Sequence, residues 1–272
     1  MDLRNINNQK KSLEGMMVLG GAITGISFIS FIANPVFMIG FIAGGIIMAI
    51  AGSKFKKLSI AFKEVHVKKI IQDEIDGIHY EPKKGFEKEV VYGSKILRKE
   101  DRYYSEDFLS GIIKDKKFLS ADVKLQDVRS NGKSTTVVTV FQGRFYIIDF
   151  NKKFENDVYI MPNLSIGFNW FSELQRVDLE SIAFNKLYDV FSIDKHSAFY
   201  LLKPAFMEKL IEFRNVAKRV MFGFKDAQVY IALDTRIDSF DLKMFREIDQ
   251  TFFEEIKREI KMIEELIDLI PA

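Results

Sequence analysis

The chain has 272 residues, with 40 Lys and Arg against 38 Asp and Glu, a formal charge of +2. The lack of cysteine excludes a disulfide framework, thiolate metal sites and cysteine nucleophiles. Three scattered histidines (His66, His79, His196) make a poor metal set, and near-neutrality argues against a nucleic-acid binder.

From Gly15 to Ser53 run 39 residues without a charge. One helix of that length would be roughly 58 Å long, about twice a ~30 Å hydrocarbon core. Asn34-Pro35 interrupts the block near its middle, because proline removes a donor and pushes its predecessor out of the helical region. The spacing predicts two apolar helices, Met16–Ala33 and Val36–Gly52, each roughly 26 Å long. Joined by a tight turn, they form a transmembrane or membrane-inserted hairpin. Neither segment has the polar face that a surface helix of a soluble domain needs. A cleavable signal peptide fits less well, since Ile32-Ala33-Asn34 is a poor cleavage site and a second apolar segment follows at once. Gly21 and Gly25 on the first helix, and Gly40 and Gly44 on the second, form small-residue faces with Gly20, Thr24, Ser27 and Gly45 nearby. Such faces let backbones approach where apolar surface gives little association energy, so they are read as packing the hairpin or a partner. The plainer explanation is that glycine is frequent in membrane helices anyway.

Arg4, Lys10 and Lys11 precede the block, Lys54, Lys56 and Lys57 follow it, and the turn has no charge. The positive-inside rule then places both termini in the cytoplasm. Between Lys54 and Lys69 six lysines (Lys54, Lys56, Lys57, Lys63, Lys68, Lys69) face one acid, Glu64. These six are read as contacts to anionic headgroups, at about 1 kcal/mol each near the surface. Phe55, Leu58, Phe62 and Val65 recur at helical spacing, so the second helix is expected to continue as an amphipathic stem.

Beyond Phe86 the pattern turns to short runs rich in β-branched and aromatic residues. Strands are expected at Asp107–Ile113, Phe118–Val128, Ser134–Gln142, Phe145–Phe150, Asp157–Met161, Tyr188–Ile193 and Gln228–Asp234. Asn131-Gly132 suits a two-residue hairpin turn with positive φ at both positions, and Gly143 marks a bulge or bend. Helices are expected at Leu179–Asn185 and Pro204–Val220, the latter with proline in its first turn. Early strands with later helices predict an antiparallel α+β domain. From Phe240 to Ile270 apolar residues recur at Phe245, Ile248, Phe252, Ile256, Ile260, Ile263, Ile267 and Ile270. That amphipathic helix is read as core-facing or, given its length, as a possible interface for a second copy or a helical membrane partner. The division is thus a tail at 1–15, the hairpin at 16–52, a basic stem at 53–79, the α+β domain at 80–240 and the terminal helix at 241–272.

A series of motifs runs along the chain: Val91-Tyr92, Tyr104-Ser105-Glu106-Asp107-Phe108-Leu109-Ser110-Gly111, Val140 through Lys152, Phe184-Asn185-Lys186, Tyr188 through Asp194, Leu201 through Glu208, and Val229-Tyr230-Ile231-Ala232. Together they resemble those of the bacterial DUF3137 family. The similarity runs from about Lys88 to Asp241. It implies a pair of apolar helices near the N-terminus followed by a soluble domain. The family's role is unknown, so it implies no site residues.

No phosphate loop, dinucleotide fingerprint, nucleophile elbow, HExxH or EF-hand spacing occurs. Asp149 and Asn151 share a strand face and could hold a cation, but a polar turn explains them more simply. Asp194-Lys195-His196 offers an acid, a cation and an imidazole, yet adjacent side chains rarely converge and Asp194 suits a helix cap. Trp170 is core or an interfacial anchor. No cofactor and no catalytic group is expected. The expectation is a membrane-anchored, non-enzymatic cytoplasmic module that binds partners or scaffolds a membrane complex. The alternatives are a lipid-binding or membrane-shaping protein and a membrane-bound hydrolase.

Overall fold

The computed structural model describes residues 2–32, 34–150, 152–163, 173–214, 217–238 and 240–270. Asn151 and Trp170 lie outside them. The chain divides into two compact units, one of Met1–Asp73 with Ser239–Arg258, the other of Glu74–Asp238 with Glu259–Ala272.

In the first unit α1 (Leu3–Phe31) and α2 (Met38–Phe62) flank a short 3₁₀ turn, Pro35–Phe37. The Asn34 side chain accepts a hydrogen bond from Val36 N at 3.0 Å and caps that turn. The first helix starts well before Met16. Ile6 and Leu13, one heptad apart, are buried on it, and the intervening polar residues hide that sparse spacing in the sequence. The second helix runs through a π-helical turn, Lys63–Val67, into α3 (Lys68–Glu74), so the expected stem is helical only as far as Glu74.

The second unit is built on a nine-stranded antiparallel sheet, so the α+β reading holds. Its strands are β1 (His79–Glu81), β2 (Arg102–Ile113), β3 (Lys116–Ser130), β4 (Thr135–Asp149), β5 (Val158–Pro162), β6 (Gln175–Val177), β7 (Tyr188–Ser192), β8 (Arg219–Lys225) and β9 (Gln228–Asp234). Their order is β1-β2-β3-β4-β9-β8-β5-β7-β6. Five helices complete the list: α4 (Lys88–Gly93), α5 (Ile182–Asn185), α6 (Lys195–Leu201), α7 (Pro204–Phe213) and, ending the described chain, α8 (Gln250–Leu269). Successive side chains alternate between faces. One face carries Ala121, Val123 and Leu125 of β3 with Phe145 and Ile147 of β4, packed with Phe86, Val91 and Met221 into an apolar core.

Four local expectations need correction. Arg219 and Val220 open β8 and do not end a helix, because α7 stops at Phe213. The β3–β4 turn has positive φ at Gly132 but not at Asn131, whose side chain accepts from Lys133 N (3.1 Å) and Ser134 N (2.8 Å). The irregularity in β4 falls beside Val140, where Leu125 pairs with Phe141 and Gln126 with Thr139. Gly143 sits in regular pairing with Val123, and is glycine because a Cβ there would overlap the Leu233 carbonyl of β9. Finally, α8 begins at Gln250, so Phe245 and Ile248 lie outside it; Phe245 has positive φ and is exposed.

Candidate membrane interface

The hairpin's two helices approach through Gly20, Gly40 and Gly44. A Cβ on Gly44 would collide with Thr24 and the Gly20 carbonyl, and one on Gly40 with the Ser27 hydroxyl. Thr24 Oγ1 donates back to Gly20 O at 2.8 Å, which satisfies the hydroxyl within its own helix. Gly21 and Gly25 are displaced from this seam. Only Met48 Sδ, 4.0 Å away, would touch a Cβ at Gly21, and nothing lies within 4 Å of one at Gly25. The signal that separates the two sets is the Thr24 and Ser27 spacing, which belongs to the Gly20 stripe.

Away from the seam the hairpin's surface is apolar and open. Ile29, Ile32, Val36 and Ile39 are each more than 60% exposed. Among the described residues two helices are long and apolar enough to cross a membrane, and only 17% and 11% of the residues in their apolar windows are buried. A core helix of a soluble protein would be mostly covered.

The charged end of the hairpin is tied to residues 239–258 within the same unit. Lys63, 1% exposed, pairs with Asp241 at 2.6 Å. Asp241 Oδ1 also accepts from Ser59 Oγ at 2.9 Å, and Leu242 N donates to that hydroxyl. Glu14 bonds Lys10 and accepts from Phe245 N at 2.8 Å. Phe252 and Phe253 stand 5.8 and 6.5 Å from the Phe62 ring. Lys63 is therefore removed from the headgroup set by burial. Lys54, Lys56, Lys57, Lys68 and Lys69 are exposed.

The interface reading of the terminal stripe is corrected by the same kind of observation. Phe252, Ile256, Ile260, Ile263 and Ile267 are all at most 2% exposed in the single chain. These five side chains therefore pack within one chain. Asp194 caps α6 by accepting from Ser197 N at 3.1 Å. Asp149 accepts from Gln228 Nε2 at 3.0 Å.

Sequence reasoning missed a buried charge network in the second unit. Asp122 and Arg144 are register partners on the sheet face opposite the apolar core. Arg144 Nε lies 2.8 Å from Asp122 Oδ1 and 3.4 Å from Glu259 Oε1 of α8, while Nη2 donates to Asp107 O at 3.3 Å. Tyr80 donates to the Asp107 carboxylate. Burial opposes the charge on Arg144, but Asp122 and Glu259 outweigh it and strengthen its hold on the proton. Burial pushes the Asp122 carboxyl well above its usual range against the pull of Arg144, with Asp238, Glu259 and Asp107 adding to the rise. Asp107, Asp122 and Asp238 bring carboxylate oxygens within 4.8 Å of one another, close enough to share a cation. The Arg144 guanidinium already supplies the positive charge beside Asp122, so the network reads as an internal salt-bridge cluster.

No curated protein matches the chain. Among solved structures it is similar to the crystal structure of the mycobacterial trehalose monomycolate transport factor A, TtfA. That likeness has 9% identity and a TM-score of 0.40, over 76% of this chain and 94% of that one, and carries no inference. The model of DUF3137, described as a protein of unknown function, matches residues 139–271. The match leaves the motifs at 91–111 outside it and takes in the terminal helix. Residues 139–271 thus carry the DUF3137 signature, and the resemblance read from the motifs is borne out.

Proposed function

We propose that the chain is a membrane-anchored accessory protein whose hairpin inserts in the bilayer and whose sheet unit serves as a non-enzymatic, partner-binding module on the cytoplasmic side. The observation that carries this reading is the apolar outer surface of α1 and α2, open along the uncharged block. In water that surface is costly, at roughly 25 cal/mol per Å² of apolar area. In hydrocarbon it is at rest, and the helical backbone satisfies its own hydrogen bonds. Lysines at the block's end favour the inner leaflet by the positive-inside rule and by attraction to anionic headgroups. The two helices give the module a fixed address at the bilayer, which is what a scaffolding role requires. Fractionation tests the anchor. The full chain stays with membranes through alkaline carbonate and high salt; release into the supernatant by carbonate overturns it.

A further inference from the structure

Near its charged end the hairpin carries a groove of about 410 Å³ between its two helices. One wall is Gln9, Ser12, Leu13 and Met16, at steps of three and four on α1. The other is Lys54, Lys57, Leu58 and Ala61, at the same steps on α2. Leu13 and Leu58 are buried and form an apolar floor. Among the described residues no acid lines the groove. Among the described residues neither the Lys54 nor the Lys57 ammonium has a hydrogen-bond or ion-pair partner, although carboxylates elsewhere in this unit are taken up by Lys10 and Lys63. Two unpaired cations and a hydroxyl above an apolar floor are the complement of a group that joins a phosphate to a hydrocarbon chain.

The groove also lies at a particular depth. Met16 is the second residue of the uncharged block and Lys54 the first after it. Because α1 and α2 run antiparallel, these two mark the groove's membrane end, and Gln9 and Ala61 its outer end. A phosphate held by Lys54, Lys57 and Ser12 would sit at headgroup level, its acyl chains passing Met16 along the open face of the hairpin.

We propose that this groove is a discrete site for the phosphate of one anionic phospholipid, distinct from the diffuse attraction of the other exposed lysines. The proposal rests on the anchor reading above. Native mass spectrometry of the full chain in non-ionic detergent tests it, with phosphatidylglycerol and phosphatidylcholine of matched chains as probes. Phosphatidylglycerol is expected to add one molecule per chain at least tenfold more tightly than phosphatidylcholine. The double variant Lys54→Gln/Lys57→Gln loses that preference, while Lys56→Gln/Lys68→Gln/Lys69→Gln, outside the groove, keeps it; circular dichroism confirms that both remain folded. Equal graded losses in the two variants, or adducts that never saturate at one, overturn the site. Displacement of the lipid by millimolar inorganic phosphate overturns the lipid as its source. None of these results touches the anchor, which fails only if carbonate releases the chain.

Discussion

Replacing Arg144 with methionine removes the charge that the buried network is built around while roughly keeping its volume. Arg144 is 2% exposed, and its side chain faces Asp122 and Glu259, themselves 12% and 15% exposed. Truncating one partner of such a cluster leaves buried carboxylates without a counter-charge, at a cost of about 3–5 kcal/mol. For a unit of this size each kcal/mol lowers the melting temperature by about 2–4 °C, so a drop of roughly 6–20 °C is expected. The loss must depend on pH in a stated direction. Asp122 has its folded-state carboxyl raised above the ordinary 3.8, so ionising it costs stability as pH rises through that raised value. Without Arg144 its largest opposing attraction is gone, and the deficit grows on going from acidic to alkaline solution. Thermal unfolding of the full chain in non-ionic detergent, followed by circular dichroism near pH 5 and near pH 8, measures both effects. Adding Asp122→Asn to Arg144→Met should recover part of the loss, since the uncompensated charge is then gone. A variant within about 1 kcal/mol of the parent at both pH values would refute the counter-ion reasoning.

Gly44→Val forces a side chain into the Gly20 and Thr24 contact and should cost about 1–3 kcal/mol of hairpin stability in detergent, whereas Gly25→Val meets nothing and should cost little. Comparable losses at both positions would contradict the Gly20–Gly44 seam. Ile256→Ala should destabilise by about 2–5 kcal/mol without changing the mass of the particle, because Ile256 is fully buried within one chain. A fall in mass with little change in stability would restore the interface reading. A fragment beginning at Glu74 loses the Phe62 ring that packs on Phe252 and Phe253. Hydrogen exchange should show the helix before Arg258 less protected than in the full chain, and unchanged protection there would contradict the grouping of 239–258 with the hairpin.

How much of this was readable depended on whether the deciding contacts were local. The hairpin was legible because an uncharged block broken by Asn34-Pro35 has few other solutions, and β9 because alternation and turn signals coincide at Gln228–Asp234. The start of β8, Arg219 and Val220, was lost to the preceding helix and the rest of it was not read as a strand, because a short apolar stretch has no periodicity of its own to tell strand from buried helix. The terminal helix was drawn too long because Phe245 and Ile248 continue its spacing, and nothing in the side chain of Phe245 announces a positive φ. Gly40 and Gly44 were read on the right face, but the first helix's side of the seam was shifted by one residue, since adjacent Gly20 and Gly21 offer two registers and packing alone chooses between them. The charge network was invisible: Asp107, Asp122, Arg144 and Glu259 are brought together by sheet register and by α8, and no sequence spacing encodes that.

The measurement that bears most directly on the anchor is thiol accessibility, in a chain whose natural lack of cysteine gives a clean background. Single cysteines at Asn7 and at Asn131 report on α1's outer end and on the β3–β4 turn. If the hairpin enters and leaves the bilayer on the cytoplasmic face, an impermeant maleimide labels neither in intact cells and both after permeabilisation. Labelling at Asn131 alone in intact cells would mean a single crossing, and the hairpin anchor would be wrong.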